Sequence, residues 1–176
     1  MAFYKATHLI FDLRRRFFQI FKSTMMNKKL FVLGLAIAVC VAFFDLLTKE
    51  IVFRFIEDGD EIKIFDFFSL VRVWNRGVSF GMFNQLENSH IIFSIIQGGI
   101  ALVLVFWLYR NNNFYFAYGL GLIIGGALGN VIDRIMNGAV ADFLDFHIAS
   151  YHWPAFNLAD SCVFIGVVIL LFFDKK

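Results

Sequence analysis

Long apolar runs broken by isolated charges make up most of the chain. Four stretches free of Asp, Glu, Lys and Arg could approach a membrane span: 30–44 (15 residues), 88–109 (22), 111–132 (22) and 161–173 (13). A helix needs about 20 residues, at about 1.5 Å each, to cross an apolar core of about 30 Å. The middle two stretches reach that length. The outer two reach it only by taking ionisable residues with them: the first runs on to Asp45 and Lys49, and the fourth starts near Asp160. The pattern predicts a membrane α-helical fold with four transmembrane helices. It also places acids beside the apolar layer, where they are costly and usually mark function.

Between and before these runs the pattern changes. Segment 8–22 alternates apolar and basic residues, with Ile10, Phe11, Leu13, Phe17, Phe18, Ile20 and Phe21 set against Arg14, Arg15 and Arg16. That is the pattern of an amphipathic helix lying on anionic lipid. No small-residue cleavage site follows it, which argues against a removable signal peptide. Met25 or Met26 as alternative starts would make the stretch a mere extension. Segment 51–74 loses helical periodicity, and Ile62, Ile64, Phe65, Phe67, Phe68, Leu70, Val71 and Val73, interrupted by Lys63, Asp66 and Arg72, predict short strands. With Trp74, Phe80 and Phe83 they form a small β-rich interfacial element over about 51–83, since aromatic rings favour the membrane interface. Segment 54–68 is a candidate lid. Span three carries Gly121, Gly125 and Gly129 every four residues, a spacing that lets helices approach closely. Gly126, Asn130 and Arg134 form a neighbouring row. Asn137-Gly138 then predicts a turn, 140–146 an extended segment, and Trp153-Pro154 the re-entry into span four.

Composition agrees with a membrane class: 60% hydrophobic, 19% aromatic and 17% charged, with a mean hydropathy of +0.72. Soluble domains run at about 45–50% apolar and about 25% charged. A net charge of +2 offers no footprint for nucleic acid, and Cys40 and Cys162 are too few and too isolated for a disulfide scaffold. Charge placement says more than charge sum. Lys5, Arg14, Arg15, Arg16, Lys22, Lys28, Lys29, Arg110, Lys175 and Lys176 are ten of the 16 cations, and four crossings put them all on one side. By the positive-inside rule that side is cytoplasmic, so both termini face the cytoplasm. Asp45, Asp133 and Asp160 then fall at the outer helix ends and Asp142 in an outer loop.

Carboxylates converging at one depth suggest hydrolytic chemistry at the interface. The zinc-protease pattern HExxH is missing from the sequence. Thr48, Lys49 and Ser79 offer no His–Ser pairing. Cys162 reads as packing. His147 and His152, five apart near Asp142 and Asp145, fit an interfacial or solvent role better than a metal site. Two carboxyls sharing one proton fit best, because such a pair supplies both a base to activate water and an acid for the leaving nitrogen. By helical position alone Asp133 is as good a candidate as any.

Five segments, Asp45-Leu-Leu-Thr-Lys49, Asn75-Arg-Gly-Val-Ser-Phe80, Gly125-Gly-Ala-Leu-Gly-Asn-Val-Ile-Asp-Arg134, Val140-Ala-Asp142-Phe143 and Phe156-Asn-Leu-Ala-Asp160, occur in order. Together they resemble the motif set of the lipoprotein signal peptidase (signal peptidase II) family. The resemblance implies a four-helix membrane aspartic peptidase of the bacterial cytoplasmic (inner) membrane, with its active site on the periplasmic side. Such an enzyme removes the signal peptide of diacylglyceryl-modified prolipoproteins by cutting before the lipidated Cys. It further implies Asp142 and Asp160 as the catalytic pair, and Asp45, Lys49, Asn75, Asn130, Arg134 and Asn157 as substrate-binding or supporting residues. Asp133, Gly125, Gly126 and Gly129 are left structural, with Asp133 in an ion-pair or scaffold role beside its neighbour Arg134. No metal or other cofactor is expected. Implied partners are the prolipoproteins, membrane lipids and a cyclic-peptide inhibitor such as globomycin. The domains expected are a basic amphipathic extension over 1–28 and a four-helix membrane peptidase domain over 29–176. The stretch before Met25, residues 1–24, departs from the family pattern.

Two other classes compete. A small transporter or proton relay also carries acids in its helices, but nearer the midplane and with discontinuous helices or inverted repeats. A non-catalytic assembly or lipid-binding protein would function without its Asp side chains.

Overall fold

The structure, a computed structural model, describes residues 2–77 and 89–173, with side chains from Lys28 onward in the first helix and from His90 onward in the second. In chain order the elements are α1 (Ala2–Phe55), β1 (Glu61–Phe65), β2 (Phe68–Asn75), α2 (Ser89–Arg110), α3 (Phe114–Asn137), β3 (Val140–Ile148), β4 (Tyr151–His152) and α4 (Leu158–Phe173). Lys28–Phe55, His90–Arg110 and Phe114–Asn137 are each long and apolar enough to cross a membrane, while α4 is apolar but only 16 residues long. Large apolar side chains such as Leu102, Val103, Phe106, Phe164 and Leu171 face outward, as lipid requires.

α3 is the centre of the bundle. It packs against α1, α2 and α4, and 67% of its apolar window is buried, against 22% and 11% for α1 and α2. The reason lies in its glycines. A Cβ on Gly121 would stand 2.7 Å from Gly34 O, and one on Gly125 would stand 2.6 Å from Ala38 O, so α1 lies against the backbone of α3. Gly126 turns the adjacent face to α4, where a Cβ would collide with Ala159 O. Lipid offers no hydrophobic drive between helices, so this close backbone contact and interhelical polar bonds hold the bundle. At the start of α3 the Asn113 side chain accepts from the N–H groups of Tyr115 and Phe116 (2.8 and 3.3 Å). At its end Gly138 takes φ 71° and donates to Arg134 O.

The strands form one antiparallel sheet in the order β1-β2-β3-β4. β1 is exposed throughout at its edge. β3 confirms the extended segment expected after the Asn137-Gly138 turn and runs two residues further. Phe156 bridges to Leu144, which fastens the approach to α4 onto β3.

Three boundaries differ from the sequence reading. α1 holds through Phe55, where loss of period from 51 predicts the β element, so strand structure begins only at Glu61. A helix surrounded by apolar partners needs no amphipathic period, and Phe53 meets Trp74 edge-on at 4.9 Å while Arg54 pairs with Glu50 at 2.7 Å. The backbone of 2–28 continues into the span as one helix; the amphipathic pattern of 8–22 lies outside the described side chains, and Ser79, Phe80 and Phe83 outside the described residues. α4 begins at Leu158 behind an Asn157 cap, with Pro154 ahead of it rather than in its first turn.

Gly125→Ala should cost about 1–3 kcal/mol through overpacking against α1. Gly98→Ala, where a Cβ meets nothing within 4 Å, should not destabilise the chain. Unfolding in mixed micelles compares them; an equal response at both positions would contradict the close approach.

Candidate active site

Lys49 organises the polar end of the bundle. Its Nζ, in a side chain only 4% exposed, stands 2.7 Å from Asp45 Oδ2, 3.2 Å from Asp133 Oδ2 and donates at 2.9 Å to Asn130 Oδ1. Asp45 and Lys49 meet because residues four apart share a helix face. The ammonium thus stands among three side-chain oxygens, two of them from carboxylates. The other carboxylate oxygen of Asp45 accepts from Ala159 N at 2.9 Å, so an acid of α1 satisfies the open N-terminus of α4. Gly129 makes room for this carboxylate: a Cβ there would lie 2.5 Å from Asp45 Oδ2.

Asp133 accepts from Asn137 Nδ2 at 2.7 Å and from Ala141 N at 2.8 Å, which ties the end of α3 to the start of β3. Its ion-pair partner is Lys49, not the adjacent Arg134, because side chains one apart on a helix diverge. Arg134 instead donates from Nη1 to Gln97 Oε1 (2.8 Å) and from Nη2 to Gly77 O (3.2 Å).

Asp142 and Asp160 line one cleft of about 230 Å³ together with Asn75, Gln97, Asn130 and Arg134. Phe93, Ile96, Ile100 and Val140 supply its apolar wall. Each acid is held by amide side chains. Asn75 Nδ2 donates to Asp142 Oδ2 at 3.0 Å and Asn157 Nδ2 to Asp142 Oδ1 at 2.7 Å. Asn130 Nδ2 donates to Asp160 Oδ1 at 2.8 Å. The strand register explains the first bond: Val73 pairs with Asp142 and Asn75 with Val140, so Asn75 and Asp142 are diagonal neighbours on one sheet face. Asn157 also caps α4 through Asp160 N at 2.9 Å, and so fixes both acids at once. Burial, with the like charge of Asp160 second, pushes the Asp142 carboxyl up to about 7, against the smaller opposing pull of the Asn75 and Asn157 bonds and of Lys49.

All eight polar residues named from sequence, Asp45, Lys49, Asn75, Asn130, Arg134, Asn157, Asp142 and Asp160, thus belong to one connected site, with Asp133 joined to it through Lys49. Gln97 was missed; its signal was an amide inside an otherwise apolar run. Thr48 is occupied locally, its Oγ1 donating to Phe44 O and Asp45 O. His147 and His152 lie outside the cleft, on the β3–β4 hairpin beside Asp145.

Two amide-held carboxylates in a small cleft at the polar end of an apolar helix bundle define the candidate site of a multi-pass membrane hydrolase. Residues 37–174 match the family model described as signal peptidase (SPase) II. The chain is 41% identical over 140 residues to a lipoprotein signal peptidase of Anaplasma marginale, covering 80% of this chain and 82% of that one. It is 44% identical over 144 residues to one of Burkholderia ambifaria, covering 81% and 87%. A bacterial membrane enzyme solved at 1.9 Å superposes with a TM-score of 0.70 at 34% identity, covering 81% of this chain and 94% of that one. The chain belongs to the signal peptidase II family, a family of proteases.

Removing the Lys49 charge leaves Asp45 and Asp133 buried without a counter-ion. Lys49→Met should therefore destabilise the fold by about 3–5 kcal/mol. Unfolding of the variant in detergent checks this, and wild-type stability would show that the ammonium is dispensable.

Proposed function

We propose that this chain is an aspartic endopeptidase that removes the signal peptide from diacylglyceryl-modified prolipoproteins, cutting before the lipidated Cys, and that Asp142 and Asp160 are its catalytic pair. The observation that carries the reading is the shared cleft in which amides from β2, α3 and the α4 cap aim at both carboxyls.

With one proton between them, the pair has both functions needed to hydrolyse an amide. The ionised carboxylate takes a proton from water as the oxygen attacks the scissile carbonyl, and the protonated carboxyl gives its proton to the carbonyl oxygen. As the tetrahedral intermediate collapses, a proton passes to the departing nitrogen and the C–N bond breaks. The proton belongs to the pair rather than to one residue. Asn75, Asn130 and Asn157 orient the carboxyls, and Arg134 brings positive charge and a donor fork to the cleft where substrate backbone would lie. Lys49, Asp45 and Asp133 hold the strand and the helix that carry the pair; Gly125, Gly126 and Gly129 permit the close approach of the helices.

The topology proposed is four crossings of the bacterial cytoplasmic membrane with both termini inside and the cleft on the outer side, supported by the cation distribution. In this arrangement 29–176 is the peptidase domain and 1–28 a basic extension against anionic lipid. A cyclic peptide such as globomycin would compete for the cleft.

Asp142→Asn and Asp160→Asn should each lower cleavage of a purified diacylglyceryl-modified precursor by about 10²–10⁴-fold or more, the scale of general acid–base catalysis, with the variant still folded in micelles. Near-normal cleavage by either would remove the pair from the mechanism. Because the Asp142 carboxyl sits near 7, the wild-type rate should also fall as pH rises above about 7 and the shared proton leaves.

A further inference from the structure

Asp145, His147 and His152 gather outside the cleft, and none of them lines it. Sequence spacing favours an interfacial or solvent role for the two histidines over a metal site; the hairpin changes that. Asp145 and His147 are two apart on β3, hence on one face of the strand. His147 pairs directly with His152 across the β3–β4 register, which sets the second ring beside the first, centroids 4.8 Å apart. Both Nδ1 atoms turn to the same carboxylate oxygen: His152 Nδ1 is 2.8 Å from Asp145 Oδ2 and His147 Nδ1 is 3.4 Å from it.

Only the His152 contact is a hydrogen bond. His147 Nδ1 is buried and, among the described residues, has no hydrogen-bond partner. Each residue thus offers a ligand atom within 4.8 Å of the other two, with one nitrogen unsatisfied among the described residues. Tetrahedral zinc holds nitrogen and carboxylate oxygen at about 2.0–2.2 Å, which sets neighbouring donors about 3.3 Å apart. The two N···O spacings, 2.8 and 3.4 Å, lie on either side of that. Asp145 is buried while His152 is half exposed, so an ion has an entry path and open positions for water.

We infer that Asp145, His147 and His152 form a binding site for one divalent ion of the zinc class, which clips β4 to β3 at the edge of the membrane domain. Imidazole and carboxylate together select Zn²⁺-type ions over Mg²⁺, which prefers an all-oxygen octahedron. The site is independent of the proposed proteolytic pair, and its test uses no cleavage.

Tag-free full-length protein in detergent, stripped with EDTA, is titrated with Zn²⁺ against a chromophoric chelator. One equivalent should bind per chain, at least about tenfold more weakly in His147→Ala, His152→Ala and Asp145→Asn, and unchanged in His8→Ala and His90→Ala. Co²⁺ loading should give visible absorption bands that the same three variants lose. His152 is exposed enough that His152→Ala leaves the packing intact, so its result stands even if the buried variants misfold. Sub-stoichiometric binding by the wild type, or wild-type affinity in His152→Ala, would overturn the assignment.

Discussion

A single buried ammonium holds the polar end of this molecule together. Lys49 lies between Asp45 on its own helix and Asp133 on α3, and it donates to Asn130. Each of these partners passes the constraint on. Asp45 reaches the N-terminus of α4, Asp133 holds the first residues of β3, and Asn130 bonds to Asp160. Displace the ammonium and two carboxylates are left buried without a counter-charge, at the place where three helices and a strand meet. In a low-dielectric setting such a cluster tolerates little slack, because every unmade bond costs the full desolvation of its group. Precision at the acid pair is therefore a property of the ion cluster beneath it.

The cluster needs close helices, and α3 supplies them. Its glycines remove side-chain bulk on two faces, one for α1 and one for α4, so that donors and acceptors four residues apart can be shared between neighbours. The sheet completes the cleft from outside the bundle. β2 brings Asn75 and β3 brings Asp142 in diagonal register, while the Leu144–Phe156 bridge sets the distance from β3 to the cap of α4. The two acids thus reach one cleft from a strand and a helix that the ion cluster and the bridge lock together.

Much of this is readable from the chain before any coordinates. Apolar runs too short without Asp45 and Asp160, the Gly repeat of span three and the Asn130–Arg134 row all follow from membrane length and helical period. What periodicity could not reveal depends on partners distant in sequence. α1 continues to Phe55 because Trp74 packs on Phe53. Asp133 takes Lys49 rather than the adjacent Arg134 because helix geometry turns neighbours apart. Gln97 reads as one polar residue in an apolar helix until Arg134 is seen to need it. The joining of Asp145 to both His147 and His152 follows from a hairpin register that spacing alone leaves open.

The claim on which the mechanism rests is that the pair keeps a proton near neutrality because Asp142 is buried beside a second acid. ¹³C-carboxyl NMR of labelled protein follows this directly, in the wild type and in Asp160→Asn. The Asp142 carboxyl should titrate with a midpoint of about 7 in the wild type and clearly lower once the like charge of Asp160 is gone. A wild-type midpoint in the ordinary carboxylate range, or one that Asp160→Asn leaves unmoved, would contradict a coupled pair.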